Sequence, residues 1–265
     1  MMESTFYKKV TAAVEKKESL FDRHKGKYAL RSMFAGAFLT MSTAGGAIAA
    51  DQINQVHPVL GRFTFAFLFA WGLIYILFLN AELATSNMMY LTAGTFWKKI
   101  SWHKALVILL YCTLFNLIGA LIIGFLFART SSFASLDIQS FIAGGVKARL
   151  ARPSGLIILE GVLTNIFVNV AILSFLLIDN ASAKMWIAIS AVFLFVYLAQ
   201  EHVIANFASF SIVKFSVIAN QVENFGWLNI FREWTAAFIG NYIGGGLIVG
   251  LSYAWFNHNE NKYVD

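Results

Sequence analysis

The sequence predicts an all-α membrane protein with six transmembrane helices in an inverted three-plus-three repeat, the second and fifth helices being broken. Three observations predict it: the composition, the length of the apolar blocks, and polar motifs that recur in register inside them. Of 265 residues, 58% are hydrophobic and only 13% are charged, too few polar groups to clothe a soluble domain of that size. The apolar residues fall in blocks at 29–50, 63–80, 105–128, 155–178 and 234–256. Each is close to or beyond the roughly 20 residues a helix needs to cross the hydrocarbon core. A sixth block, 185–218, is interrupted. None alternates polar and apolar residues, which excludes a closed β-barrel.

The repeat rests on three matches. Glu82-Leu-Ala-Thr-Ser-Asn87 pairs with Glu201-His-Val-Ile-Ala-Asn206 as E-x-x-x-x-N. Asn116-Leu-Ile-Gly119 pairs with Asn241-Tyr-Ile-Gly244, and Gly36 to Thr40 loosely with Gly161 to Thr164. If each half holds three helices, the second half enters the bilayer from the opposite side, as in many transporters. Both E-x-x-x-x-N elements fall within the second span of their half, where polar side chains are expensive. Irregular backbone at that depth survives only when buried in protein or lining a cavity. Each element therefore reads as a break between half-helices. Glu82 and Glu201 are expected to cap exposed N–H groups or to bond the loop backbone, with Asn87 and Asn206 in the same role.

His202 differs from the other histidines: His24, His57, His103 and His258 sit near block ends, but His202 lies at the expected midplane beside a glutamate. Opposite the Thr85 hydroxyl of the other half, a neutral imidazole there can donate a hydrogen bond or a proton to a passing anion.

The ends of the chain carry less information. Residues 1–27 form an N-terminal segment too charged for a signal peptide. The spacing of Phe6, Tyr7, Val10, Val14 and Lys17 fits an amphipathic helix at the membrane surface, although a solvated tail is equally compatible. Residues 28–257 form one transmembrane domain and 258–265 a tail. With both termini cytoplasmic, 13 of the 20 Lys and Arg residues face inward, as the positive-inside rule asks. The exception is the segment with Arg129, Lys147, Arg149 and Arg152, which would bind lipid headgroups, pair with Asp137, or attract anions. The net charge of +6 suits anionic lipid better than nucleic acid. Cys112 is the sole cysteine, so neither a disulfide nor a Cys-based metal site is available. Gly45-Gly46 and Gly244-Gly-Gly246 read as close helix packing. Trp97, Trp102 and Trp186 read as an interfacial belt.

At its polar elements the chain resembles the formate/nitrite transporter family. The resemblance runs from about Lys27 to Phe256 and is carried by Ala81-Glu-Leu-Ala-Thr-Ser-Asn87, Gly161-Val-Leu-Thr-Asn165, Glu201-His-Val-Ile-Ala-Asn206-Phe207 and Gly240-Asn-Tyr-Ile-Gly-Gly-Gly246. It implies an aquaporin-like protomer assembled as a homopentamer, each copy with its own pore. The family's central histidine falls on His202 and its loop threonine on Thr85. Its apolar slits fall on Phe69, Leu73 and Phe195 on one side and Leu83 on the other, and its helix asparagines on Asn165 and Asn241. Its outer lysine falls on Arg149 or Lys147. Ala84 stands where many relatives carry phenylalanine.

The resemblance implies a transporter of formate or another small monovalent anion (lactate, acetate, nitrite) in a bacterial cytoplasmic membrane, coupled to protons and without a cofactor. The alternatives are a hydrosulfide channel or a neutral-solute facilitator of the aquaporin type. A neutral-solute facilitator would carry N-P-A loops, and a membrane enzyme a second catalytic group; the sequence has neither an H-E-x-x-H nor an intramembrane G-x-S-x-G. A carboxylate cannot cross an apolar slit as a bare charge, so neutralisation on the way is expected. Lys147, Arg149 and Arg152 would gather anions outside, and water or His202 would supply the proton.

Overall fold

The computed structural model describes residues 4–257; residues 1–3 and the tail 258–265, with His258 and Lys262, lie outside the described residues. Those described are helix and turn, with no strand among them. Helix α1 (Thr5–Arg23) starts where the Ser4 hydroxyl accepts the Tyr7 N–H at 3.1 Å, the usual N-cap bond. His24 separates it from α2 (Lys25–Asn54).

The apolar stripe of α1 is Phe6, Val10, Val14, Lys17 and Phe21, and all five are buried. The chain itself covers them. Phe6 packs on the rings of Trp97 and Tyr253, and Phe21 on those of Tyr28 and Tyr111. A solvated tail does not describe this segment: it is the expected amphipathic helix, with its apolar face seated on protein. Helical periodicity reports that a face is apolar, not what covers it. Trp97 is half-buried, and its indole N–H donates to the Ala254 carbonyl at 3.1 Å.

Five helical runs are long and apolar enough to cross a membrane: Lys25–Asn54, Val59–Phe78, Trp102–Ala128, Ser154–Leu177 and Trp227–Phe256. They correspond to α2, α3 (Pro58–Phe78), α5 (Trp102–Ala128), α8 (Ser154–Leu177), and α11 (Trp227–Asn241) continued through a π-helical segment, Tyr242–Gly250, into α12 (Leu251–Phe256). Along α5 the residues Leu106, Leu110, Leu114, Ile122 and Phe125 are exposed, an apolar surface suited to lipid. Between α5 and α8 lie the short α6 (Ser131–Ala134) and α7 (Phe141–Ala151).

Glycines set the approach of paired helices. A Cβ on Gly36 would stand 1.9 Å from the Asn116 carbonyl oxygen, and one on Gly119 2.0 Å from that of Met33. In the second half, a Cβ on Gly240 would meet the Ile158 carbonyl at 2.3 Å, and one on Gly244 that of Val162 at 2.1 Å. No side chain fits at these four positions, the close approach that small residues permit in membranes. Gly45, read from sequence as a packing glycine, faces open space instead.

Two pairs of helices are separated by short non-helical segments. Residues 79–83 stand between α3 and α4 (Ala84–Phe96), and residues 198–202 between α9 (Ala181–Tyr197) and α10 (Val203–Phe215). Each first helix ends in the same way. Asn80 and Ala199 both adopt φ 54°, and the following N–H groups of Ala81 and Gln200 return to the Ile76 and Phe195 carbonyls at 3.0 and 3.1 Å, a Schellman closure. The second helices, α4 and α10, are almost entirely buried.

Candidate functional site

Each interrupted segment is held by one asparagine. Asn116 of α5 donates to the carbonyls of Ser32 (2.7 Å) and Glu82 (2.8 Å) and accepts the Ala84 N–H (2.9 Å). Asn241 of α11 donates to the carbonyls of Gly161 (2.9 Å) and Glu201 (3.0 Å) and accepts the Val203 N–H (2.9 Å). These bonds satisfy the backbone groups that the breaks expose. They also correct one match read from the sequence: the counterpart of Gly161 is Ser32 and not Gly36. The two lie four residues apart, one helical turn on the same face, a shift that sequence periodicity tolerates.

The glutamates do other work than capping. Glu82 accepts from Lys17 Nζ at 2.5 Å and Asn87 Nδ2 at 3.3 Å. Glu201 is paired with Arg152, lies 3.3 Å from Arg149 Nε, and accepts from Asn206 Nδ2 at 2.8 Å. Arg152 also bonds Glu160 at 2.8 Å. The expected capping by Glu82 and Glu201 is therefore replaced by ion pairing, with the asparagine amides as braces. Asp137 is not a partner of these arginines: it holds the Gln139 N–H at 2.6 Å.

His202 and Thr85 meet where the two halves touch. His202 Nδ1 accepts the Ala205 N–H at 3.1 Å, capping α10. A nitrogen that accepts carries no proton, so the neutral ring has its proton on Nε2. Nε2 lies 3.0 Å from Thr85 Oγ1 and donates to it, which leaves the threonine hydroxyl proton free to turn toward another acceptor. Asn165 fixes the Thr85 carbonyl at 3.1 Å and the Asn241 carbonyl at 2.8 Å, tying the two segments together. The His202 ring stacks on Phe195 with centroids 5.9 Å apart, and Phe195 meets Phe69 edge-on at 6.5 Å.

These rings, with Leu73, Leu83, Leu39, Val168 and Val192, line a cavity of about 10 Å³, room for about one water. Phe69 and Phe195 also line a cavity of about 360 Å³ that includes Arg62 and Arg149. Beside Leu83, on the α1 side, is a third cavity of about 250 Å³, lined by Lys16, Lys17, Arg31, Glu82 and Ser86. A narrow apolar chamber holding one imidazole thus stands between two wider, charged ones.

The family model for the formate/nitrite transporters matches residues 4–255. The chain belongs to the formate/nitrite transporter family. That family is one of transporters and channels and not of enzymes. The chain is 31% identical over 234 residues to the uncharacterized transporter YrhG of Bacillus subtilis, covering 86% of this chain and 84% of that one. It is 27% identical over 188 residues to the formate channel BtFdhC of Bacillus thuringiensis, 70% of this chain and 69% of that one. Among solved structures, an FNT family ion channel superposes with TM-score 0.84 at 22% identity, over 94% of this chain and 97% of that one. A pentameric formate channel with formate bound gives 0.71 at 21%, over 86% and 95%. At such identities the likeness speaks for the fold alone.

Of the residues expected from the family resemblance, Phe69, Leu73, Leu83, Phe195 and His202 line the same central chamber. Thr85 and Asn165 lie behind the histidine, and Asn241 braces the loop. Arg149 and Arg152 are engaged by Glu201 and Glu160, while Lys147 is exposed on α7 and lines none of the three cavities. Leu39, Val168 and Val192 were missed, since apolar residues within apolar spans carry no distinguishing signal. Lys17 was read only as part of an apolar stripe, and its place in that stripe was the available clue to burial. No group of His, Cys, Asp or Glu that could hold a metal occurs among the described residues.

Proposed function

We propose that this protein is a channel or transporter that carries a small monovalent anion, or its conjugate acid, across a bacterial cytoplasmic membrane. Formate is the first candidate; lactate, acetate and nitrite suit the same path. In this reading the chain crosses the bilayer six times as an aquaporin-like inverted repeat. The α3–α4 and α9–α10 pairs are each one broken span, both termini are cytoplasmic, and residues 28–257 form the transmembrane unit. It assembles as a homopentamer with one pore per protomer, a reading supported by the fold shared with a pentameric formate channel.

The observation that carries the proposal is the chamber between Phe69 and Phe195 on one side and Leu83 on the other, with His202 in its wall. It is too narrow for a hydrated anion, and stripping a carboxylate bare is far more costly than neutralising it. The larger cavity, with Arg62 and Arg149, faces outside and gathers anions despite the glutamates that offset part of its charge. At the slit the acid form is favoured because the surroundings are apolar. In the chamber two helix N-termini, those of α4 and α10, present their positive ends. Thr85 Oγ1, accepting from His202 Nε2–H at 3.0 Å, fixes the imidazole that stands in the chamber wall. Protons travel with the substrate, from water or through the His202–Thr85 pair.

Uptake of labelled formate and lactate into proteoliposomes under an inward proton gradient tests this. Wild type is expected to take up formate with gradient stimulation, and His202→Ala to lose most of it with assembly intact. Gradient-independent uptake that is equal in both proteins would remove the histidine and the proton from the mechanism.

A further inference from the structure

The second half contains a buried acid that the permeation path does not use. Glu233 lies on α11 with no exposed surface. Its Oε1 accepts from Asn206 Nδ2 at 2.5 Å, and the same nitrogen donates to Glu201 Oε2 at 2.8 Å. The two carboxylate oxygens are therefore no more than about 5 Å apart, within the range at which like charges resist joint ionisation. Glu233 Oε2 and Asn206 Oδ1 are both buried without a hydrogen-bond partner among the described residues.

Among the described residues no cation pairs with Glu233, and the cation acting on it, Arg149, is shared with Glu201. Arg149 and Arg152, from α7 and its end, are held by Glu201, and Arg152 also by Glu160 of α8. Arg232, its neighbour on α11, donates to the Leu150 and Arg152 carbonyls at 2.8 and 2.9 Å. On α10, Lys214 is bound to the Phe225 carbonyl. His202 is engaged by Ala205 and Thr85, and Tyr242 is the titratable residue of the π-helical segment. The first half has the same asparagine brace with neutral groups in this place: Asn87 Nδ2, bonded to Glu82, also reaches the Tyr28 hydroxyl at 3.0 Å and Cys112 Sγ at 3.4 Å. A buried carboxylate with no ion pair of its own, beside a second carboxylate, is not sustained.

The geometry points to Glu233 as a proton-binding site, a neutral acid whose O–H reaches Asn206 Oδ1 or the Glu201 carboxylate and whose proton sets the charge behind the Arg149 lining of the large cavity. With the proton bound, Arg149 and Arg152 balance Glu160 and Glu201. Without it, the cluster gains one negative charge. Building on the anion-transport reading, loss of the proton disfavours anions at the mouth, by roughly fivefold for a unit charge about 10 Å away in a medium of intermediate dielectric.

Infrared spectroscopy of the reconstituted full-length protein tests the site without reference to transport. At neutral pH the wild type is expected to show the C=O stretch of a protonated carboxylic acid, and Glu233→Gln, which keeps the shape of the neutral acid, to lack it. An unchanged band in the variant overturns the proposal. If Glu233→Gln does not assemble, ¹³C-glutamate labelling of the wild type decides, because no labelled acid band at neutral pH overturns it. In uptake, the wild-type KM for formate is expected to rise toward alkaline pH about fivefold more than that of Glu233→Gln, in which the rise that comes from substrate protonation alone remains; equal rises in both overturn it. Should neither protein transport formate, the infrared result still decides on Glu233, and only the transport reading fails.

Discussion

Replacing Asn116 or Asn241 by alanine asks whether one amide holds each interrupted segment. Asn116→Ala strands three backbone groups, the Ala84 N–H and the carbonyls of Ser32 and Glu82. Asn241→Ala strands their counterparts at Val203, Gly161 and Glu201. Hydrogen bonds within membrane proteins average about 0.6 kcal/mol and reach about 1.7. Three lost at once with no side chain to replace them therefore sum to roughly 2–5 kcal/mol. The expected loss is similar for the two variants because the bond sets are equivalent. Titration of the reconstituted protein with denaturing detergent in mixed micelles, followed by tryptophan fluorescence, measures it. Asn116→Asp keeps the acceptor for Ala84, loses both donors and sets a carboxylate beside Glu82, so it should be no better than alanine. A loss below about 1 kcal/mol for both alanine variants, less than two average bonds, would refute the clamp and place the loop's stability elsewhere.

Three further outcomes follow from the same geometry. The Lys17–Glu82 pair is buried on both sides, so Lys17→Met or Glu82→Gln alone should cost about 3–5 kcal/mol by leaving one charge unpaired. The double variant should recover most of it in the same detergent titration, and additive losses would argue against pairing. Gly119→Ala should abolish assembly on size-exclusion chromatography, since its Cβ would meet the Met33 carbonyl at 2.0 Å, whereas Gly26→Ala, with nothing within 4 Å, should assemble normally. Leu83→Ala widens the wall of the central chamber and should raise lactate uptake relative to formate several-fold. An unchanged ratio would show that Leu83 does not set the size limit.

Much of the architecture was legible because membranes impose a coarse code. Apolar runs of spanning length marked the long helices, and polar residues set inside them marked the interruptions, since lipid tolerates neither polar side chains nor loose backbone without a reason. Glu82 and Glu201 were found for that reason, but their partners were not. Lys17 lies 65 residues from Glu82, and a contact at that separation leaves no periodic trace. Glu233 was passed over because an acid near the start of an apolar run looks like a solvated helix end. The glycine match slipped by one turn at Gly36 because residues four apart share a helix face. The arginines of the segment between α5 and α8 were recognised as anomalous, yet the pairing of Arg149 and Arg152 with Glu201 and Glu160 depends on α7 lying beside the second interruption.

The seat of α1 constrains the order in which the molecule can be completed. Phe6 rests on Tyr253, and Lys9 reaches the Leu176 carbonyl of α8 at 2.6 Å. Helix α1 therefore docks in part on surfaces synthesised well after it. Until Tyr253 has been made, Phe6 lacks one of its covering rings, although Trp97, Tyr28 and Tyr111 already offer α1 part of its seat. Complete closure of α1 accordingly waits for α12, and a chain stalled before α12 would leave the N-terminal end of α1, at Phe6, only partly seated.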